Sequence, residues 1–131
     1  MRKFFLLLLL SFILISCNDK KISELEYEEI DNWIVAVYDD GKPYNGEAWS
    51  DDRRSYKIEV DDGLLIKISY YDEQGNIFCV VEIENENKIF YNKNGNEISQ
   101  DVCRKLYEEQ YYLWKDTQRE LREIVESRRL H

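Results

Sequence analysis

The chain has almost no proline, little glycine and a single imidazole: Pro 1, Gly 5 and His 1 in 131 residues. Such a shortage excludes a collagen-like rod and a Gly/Ser-rich linker. The one histidine is His131, at the chain end, where backbones fray. Nucleophilic catalysis by a Ser–His or Cys–His pair therefore lacks its base. A zinc site fails for the same reason. Neither G-x-G-x-x-G nor a P-loop occurs. Positive charge is also scarce. Lys+Arg 18 against Asp+Glu 27 gives a net charge of −9, the opposite of the basic footprint that phosphate needs, so nucleic acid is excluded as a partner. The acidic pairs Asp39-Asp40, Asp51-Asp52 and Asp61-Asp62 match no calcium-loop spacing and read as turn formers. No catalytic residue, metal or cofactor is expected.

Long apolar runs are confined to the start. Arg2 and Lys3 precede Phe4 to Ile15, which is apolar apart from Ser11. Twelve helical residues span about 18 Å, against about 30 Å of bilayer hydrocarbon. The segment reads as a secretory signal rather than a membrane span. It ends Leu14-Ile15-Ser16-Cys17, which resembles the lipobox of bacterial lipoproteins. The resemblance implies that residues 1–16 are a signal peptide and that Cys17 is acylated, holding the chain to membrane lipid. It implies a place in the cell envelope. Asn18, where an Asp would resemble an inner-membrane retention signal, favours the outer membrane. From Cys17 onward the chain carries 16 basic and 27 acidic residues, a charge of −11. Residues 17–24 read as a polar tether.

From about Trp33 to Ile98, Asp/Asn/Gly clusters recur about every 11 residues, with Tyr-, Ile-, Val- and Trp-rich runs between them. Tyr56, Ile58 and Val60 alternate with Lys57 and Glu59. Ile77, Cys79, Val81 and Ile83 repeat the pattern. The spacing predicts strands near 33–38, 44–50, 55–60, 64–71, 77–84 and 88–92, with a short one at 25–30. The expected fold is α+β: an antiparallel meander over 25–98, then one C-terminal helix.

The period changes after Ile98. Ser99 is a suitable N-cap, and Asp101 favours the positive end of the helix dipole. Cys103, Leu106, Tyr107, Leu113, Trp114, Leu121, Ile124 and Val125 fall at helical spacing, with no Gly or Pro over 99–131. A straight helix of that size is about 45 Å long, against about 20–24 Å for a strand of six or seven residues. The proximal half is therefore expected to dock. The distal half is expected to overhang and offer Leu121, Ile124 and Val125 to a partner. Residues 99–131 carry seven basic and seven acidic residues, so the entire −11 falls on 17–98. That acidic body suits a basic protein partner.

Cys79 and Cys103 remain. They read either as a disulfide between strand and helix or as two buried thiols. Most of the tyrosines and tryptophans read as packing between helix and sheet.

Two segments match at an offset of 20 residues: Tyr71-Asp72-Glu73-Gln74-Gly75-Asn76 and Tyr91-Asn92-Lys93-Asn94-Gly95-Asn96. With the upstream Lys42-Pro43-Tyr44-Asn45-Gly46-Glu47, they resemble the MORN-repeat variant of bacterial proteins, some of them antitoxin-like. The resemblance implies stacked hairpins that act as binding or scaffold surfaces without catalytic residues. The expected function is a membrane-anchored, non-enzymatic protein-binding module, immunity- or antitoxin-like. The alternative is a structural component of an envelope complex docked through its C-terminal helix.

Overall fold

The structure is a computed structural model and describes residues 20–31 and 34–129. The expected signal peptide, Cys17 and Trp33 lie outside the described residues. In chain order come β1 (Lys20–Lys21), a one-turn 3₁₀ helix (Ile22–Glu24), β2 (Glu26–Asp31) and β3 (Ile34–Asp39). Then follow β4 (Lys42–Pro43), β5 (Gly46–Trp49), β6 (Tyr56–Asp61) and β7 (Leu64–Tyr71). The chain continues through β8 (Ile77–Glu82), β9 (Asn87–Tyr91) and β10 (Glu97–Ile98) to α1 (Gln100–Leu106) and α2 (Glu108–Ser127).

The architecture is α+β, as the change of period predicts. Strands pair in the order β1-β5-β6-β7-β8-β9-β10, and β3, flanked by β2 and β4, joins at β7 through Ala36 and Leu64. The meander is antiparallel, with Ile58 opposite Ile68 and Ile68 opposite Val81. That register stacks one apolar face, because side chains alternate along each strand. Its hairpins obey turn chemistry. Gly75 and Gly95 sit at φ 84 and 81, a left-handed conformation that only glycine adopts without strain.

The tether is shorter than expected. Lys20–Lys21 pairs in parallel with Ala48 and Trp49, Ile22 and Leu25 are fully buried, and the Ser23 hydroxyl donates to Asp51 at 2.6 Å. Two apolar residues in a polar stretch suffice to pull it onto the core.

The long C-terminal helix is present as Glu108–Ser127, but it is not one continuous helix from Ser99. The helical region breaks at Tyr107, at φ −130 and ψ 54, outside helical values. Ser99 does cap α1, its side chain accepting from the Val102 amide. At the break the Tyr107 amide donates to the Cys103 carbonyl, while the Tyr107 carbonyl accepts from Tyr111. The kink thus keeps its backbone groups paired. It also reconciles helix length with sheet width: α1 lies against β9 and α2 turns back across the sheet toward β2 and the 3₁₀ turn. Trp114 is the centre of this packing, edge-on to Phe90 at 5.2 Å and to Tyr70 at 6.2 Å.

The distal half does not overhang. Leu121 is 2% exposed, and Ile124 and Val125 pack against the same core. The chain end is then clamped to β2: the Tyr27 amide donates to the Arg128 carbonyl at 3.1 Å, and Arg128 Nε donates to the Leu25 carbonyl at 3.2 Å. In the proximal half, Cys103 and Trp114 dock as expected, but Leu106 and Leu113 do not.

Candidate interaction surfaces

The residues singled out by sequence divide into three groups. Cys17 lies outside the described residues. Cys79 and Cys103 reach the same core from β8 and α1, and both are free thiols, 0% and 1% exposed. Burial pushes the Cys79 thiol up to about 12, the neighbouring Cys103 adds to this, and Lys88 opposes it. Of the residues expected to meet a partner, Leu121 is buried in the core and Ile124 and Val125 pack against it partly buried.

Large apolar side chains stand exposed on the sheet, at Ile30, Ile34, Leu64, Ile66 and Ile77, and, within the helical region, at its other end. Val102 is 39% exposed, Leu106 68%, Tyr112 52% and Leu113 42%. On a helical wheel Leu106 and Leu113 lie only about 60° and 80° from Cys103, so a straight helix would keep them at the border of the buried stripe. With the helix broken at Tyr107, both stand exposed. The sequence holds no breaker that signals the kink.

Beside this patch a cleft of about 190 Å³ opens between the kink and the β7–β8 turn, with Phe78 and Cys103 among its walls and Leu113 at its edge. Gln110 also lines it, and its Nε2 is buried with no hydrogen-bond partner among the described residues. A buried donor left unpaired is costly, so an acceptor supplied from outside would be favoured there.

A second surface is the sheet face turned away from the helices. The register places Trp49, Lys57, Ser69, Val80 and Ile89 in one row across five strands. Trp49 and Tyr71 stack at 5.4 Å, and Lys57 Nζ lies 5.3 Å from the Trp49 ring centre and 3.3 Å from Glu47. Burial alone would lower the Lys57 ammonium, but Tyr71 and Glu47 beside it raise it above its ordinary value.

A third feature is acidic. The loop after β5 brings Asp51 and Asp52 toward Glu120 of α2. Partial burial raises the Glu120 carboxyl, and repulsion from Asp52, Asp51 and Glu123 raises it further. Burial would also raise Asp52, but hydrogen bonds from the Ser50 and Ser55 hydroxyls and from the Arg54 and Ser55 amides hold it well below the usual carboxylate range. Asp52 is thus the hub of its own loop. Among the described residues no three His, Cys, Asp or Glu side chains converge to hold a metal ion. Comparison with family models, with curated proteins and with solved structures finds no match to this chain.

Proposed function

We propose that this chain is a lipid-anchored envelope protein that binds a protein partner and catalyses no reaction. The observation that carries the reading is the solvent-facing apolar patch of Val102, Leu106 and Leu113 beside an unpaired Gln110 amide. Exposed apolar side chains next to an unsatisfied polar group are the usual character of an interaction site. The segment Leu14-Ile15-Ser16-Cys17 supports anchoring at the membrane, and the resemblance to MORN-type hairpins supports a binding role. The mutual repulsion of Asp51, Asp52, Glu120 and Glu123 favours a partner with basic residues, drawn in by long-range attraction. The alternative docking through the distal helix loses its support, because Leu121 is occupied by the core.

Two measurements test this. Cys17→Ala should leave the membrane fraction or accumulate as precursor. A photoreactive residue at position 106 should crosslink to one defined protein in living cells, and Leu113→Asp should abolish that product. Normal membrane retention of Cys17→Ala would remove the anchor, and crosslinks to no protein at all would remove the binding role.

A further inference from the structure

The sheet face away from the helices carries a groove of about 510 Å³, between the β7–β8 and β9–β10 turns. That volume lies within the range of small-molecule sites, about 300–1,000 Å³. Its lining is unlike the rest of the chain. In a protein of charge −9, no Asp or Glu lines this groove, while Lys67 and Lys93 both do. Between the lysines stand Tyr91 and the carboxamides of Asn76, Asn92 and Asn94.

The polar groups are available. The Asn92 Oδ1 is spent on its own turn, accepting from the Asn94 and Asn96 amides at 3.0 and 2.9 Å, which leaves its Nδ2 free. The side chains of Asn76 and Asn94 and the Tyr91 hydroxyl make no hydrogen bond among the described residues. Lys67 pairs with Glu59 at 3.9 Å and stands opposite Glu82 across β7–β8, and the Lys93 ammonium rests 5.9 Å from the Tyr107 ring centre at the kink. Neither contact is shorter than 3.9 Å.

We propose that this groove binds an acidic saccharide, a chain of uronic acid units. The chemistry matches group by group. A sugar ring presents an apolar C–H face to an aromatic ring such as Tyr91 and hydroxyls to carboxamides, which both donate and accept. A carboxylate matches the Lys67 ammonium in the groove, and a second one can draw the Lys93 side chain from the Tyr107 ring at its rim. Free phosphate and phospholipid headgroups fit less well. No arginine lines the groove to grip phosphate in a bidentate fork, and no helix N-terminus points into it. The acid-free lining set in an acidic body selects a carboxylate that the remaining surface repels.

The full chain in lipid nanodiscs, with empty nanodiscs as blank, should bind trigalacturonate saturably by titration calorimetry, with a Kd on the order of 1 mM or tighter. Its methyl ester should bind about tenfold more weakly. Lys67→Gln and Lys93→Gln should each weaken binding about threefold or more and flatten its salt dependence. Tyr91→Ala should weaken it about five- to tenfold, and Tyr91→Phe should restore it. If Tyr91→Ala does not fold, the double lysine variant carries the test alone. Equal binding of the ester, full affinity in the lysine variants, equal competition by inorganic phosphate, or no saturable heat would each overturn the proposal. The inference does not rest on the protein-binding reading. Leu106→Asp should leave trigalacturonate affinity within about twofold, as expected for separated sites.

Discussion

Asn92 repeats, twenty residues on, the hydrogen bonding of Asp72. Asp72 Oδ1 accepts from the Gln74 and Asn76 amides at 3.0 and 2.8 Å; Asn92 Oδ1 accepts from Asn94 and Asn96 at 3.0 and 2.9 Å. The backbone closes both turns alike, Gly75 donating to the Asp72 carbonyl and Gly95 to that of Asn92, each at 3.0 Å. The internal repeat is therefore a repeat of turn chemistry. Asp and Asn serve equally because only a side-chain oxygen is required.

It follows that Asp72→Asn and Asn92→Asp should be nearly neutral, whereas Asp72→Ala and Asn92→Ala should each cost about 1 kcal/mol. Gly75→Ala and Gly95→Ala should each cost about 1–2 kcal/mol from backbone strain alone, since nothing lies within 4 Å of an added Cβ at either glycine. Urea unfolding midpoints measure all six.

The two perturbed carboxylates should move stability in opposite directions. Asp52 has a depressed folded value, so it stabilises above its unfolded value of about 3.9, and this is lost as pH falls through the folded one. Asp52→Asn should lower the thermal midpoint at pH 7 by the equivalent of about 1 kcal/mol, discounted for exposure, and the gap should narrow progressively as pH falls below about 4. Glu120 has a raised folded value, so its charged form opposes folding above that value. Glu120→Gln should raise the midpoint at pH 7 and have no effect under strongly acid conditions. Midpoints for both variants across pH 2–8 separate the cases.

The buried thiols predict slow chemistry. A maleimide reacts with thiolate, and Cys79, pushed up to about 12, holds almost none at pH 8. Cys79 and Cys103 should resist labelling in the native protein and label together on unfolding. Intact mass should count both as free. A loss of two hydrogens on that mass would show a bridge instead.

Legibility followed the range of the interactions. Turns, strand alternation and the Ser99 cap were readable because each depends on neighbours within about four residues. The kink at Tyr107 was not, since no Gly or Pro marks it. Strand pairing at Lys20–Lys21 was equally hidden, because its partners Ala48 and Trp49 lie 28 residues away. Asp52 looked like one more turn acid. Its role as the hub of the Ser50–Ser55 loop depends on hydroxyls whose directions no spacing rule supplies.

The helical leucines give the sharpest contrast. Leu121 is 2% exposed within the core, whereas Leu106 is 68% exposed. Leu121→Ala should cost about 2–5 kcal/mol, and Trp114→Ala about 3–5 kcal/mol. Deleting residues 118–129 should unfold the chain, since it removes Leu121 together with the Arg128 clamp on Leu25 and Tyr27. Leu106→Asp should instead change stability by no more than about 0.5 kcal/mol, as for exposed positions without special contacts. Its effect should fall on association, because a carboxylate placed in an apolar contact must lose its hydration without a counter-charge. The pair of variants therefore separates folding from binding. Thermal midpoints and the yield of the crosslinked partner should move independently, with Leu121→Ala lowering the first and Leu106→Asp the second. A Leu106→Asp protein that unfolds would put Leu106 in the fold, and one that keeps its full crosslink yield would move the partner site elsewhere.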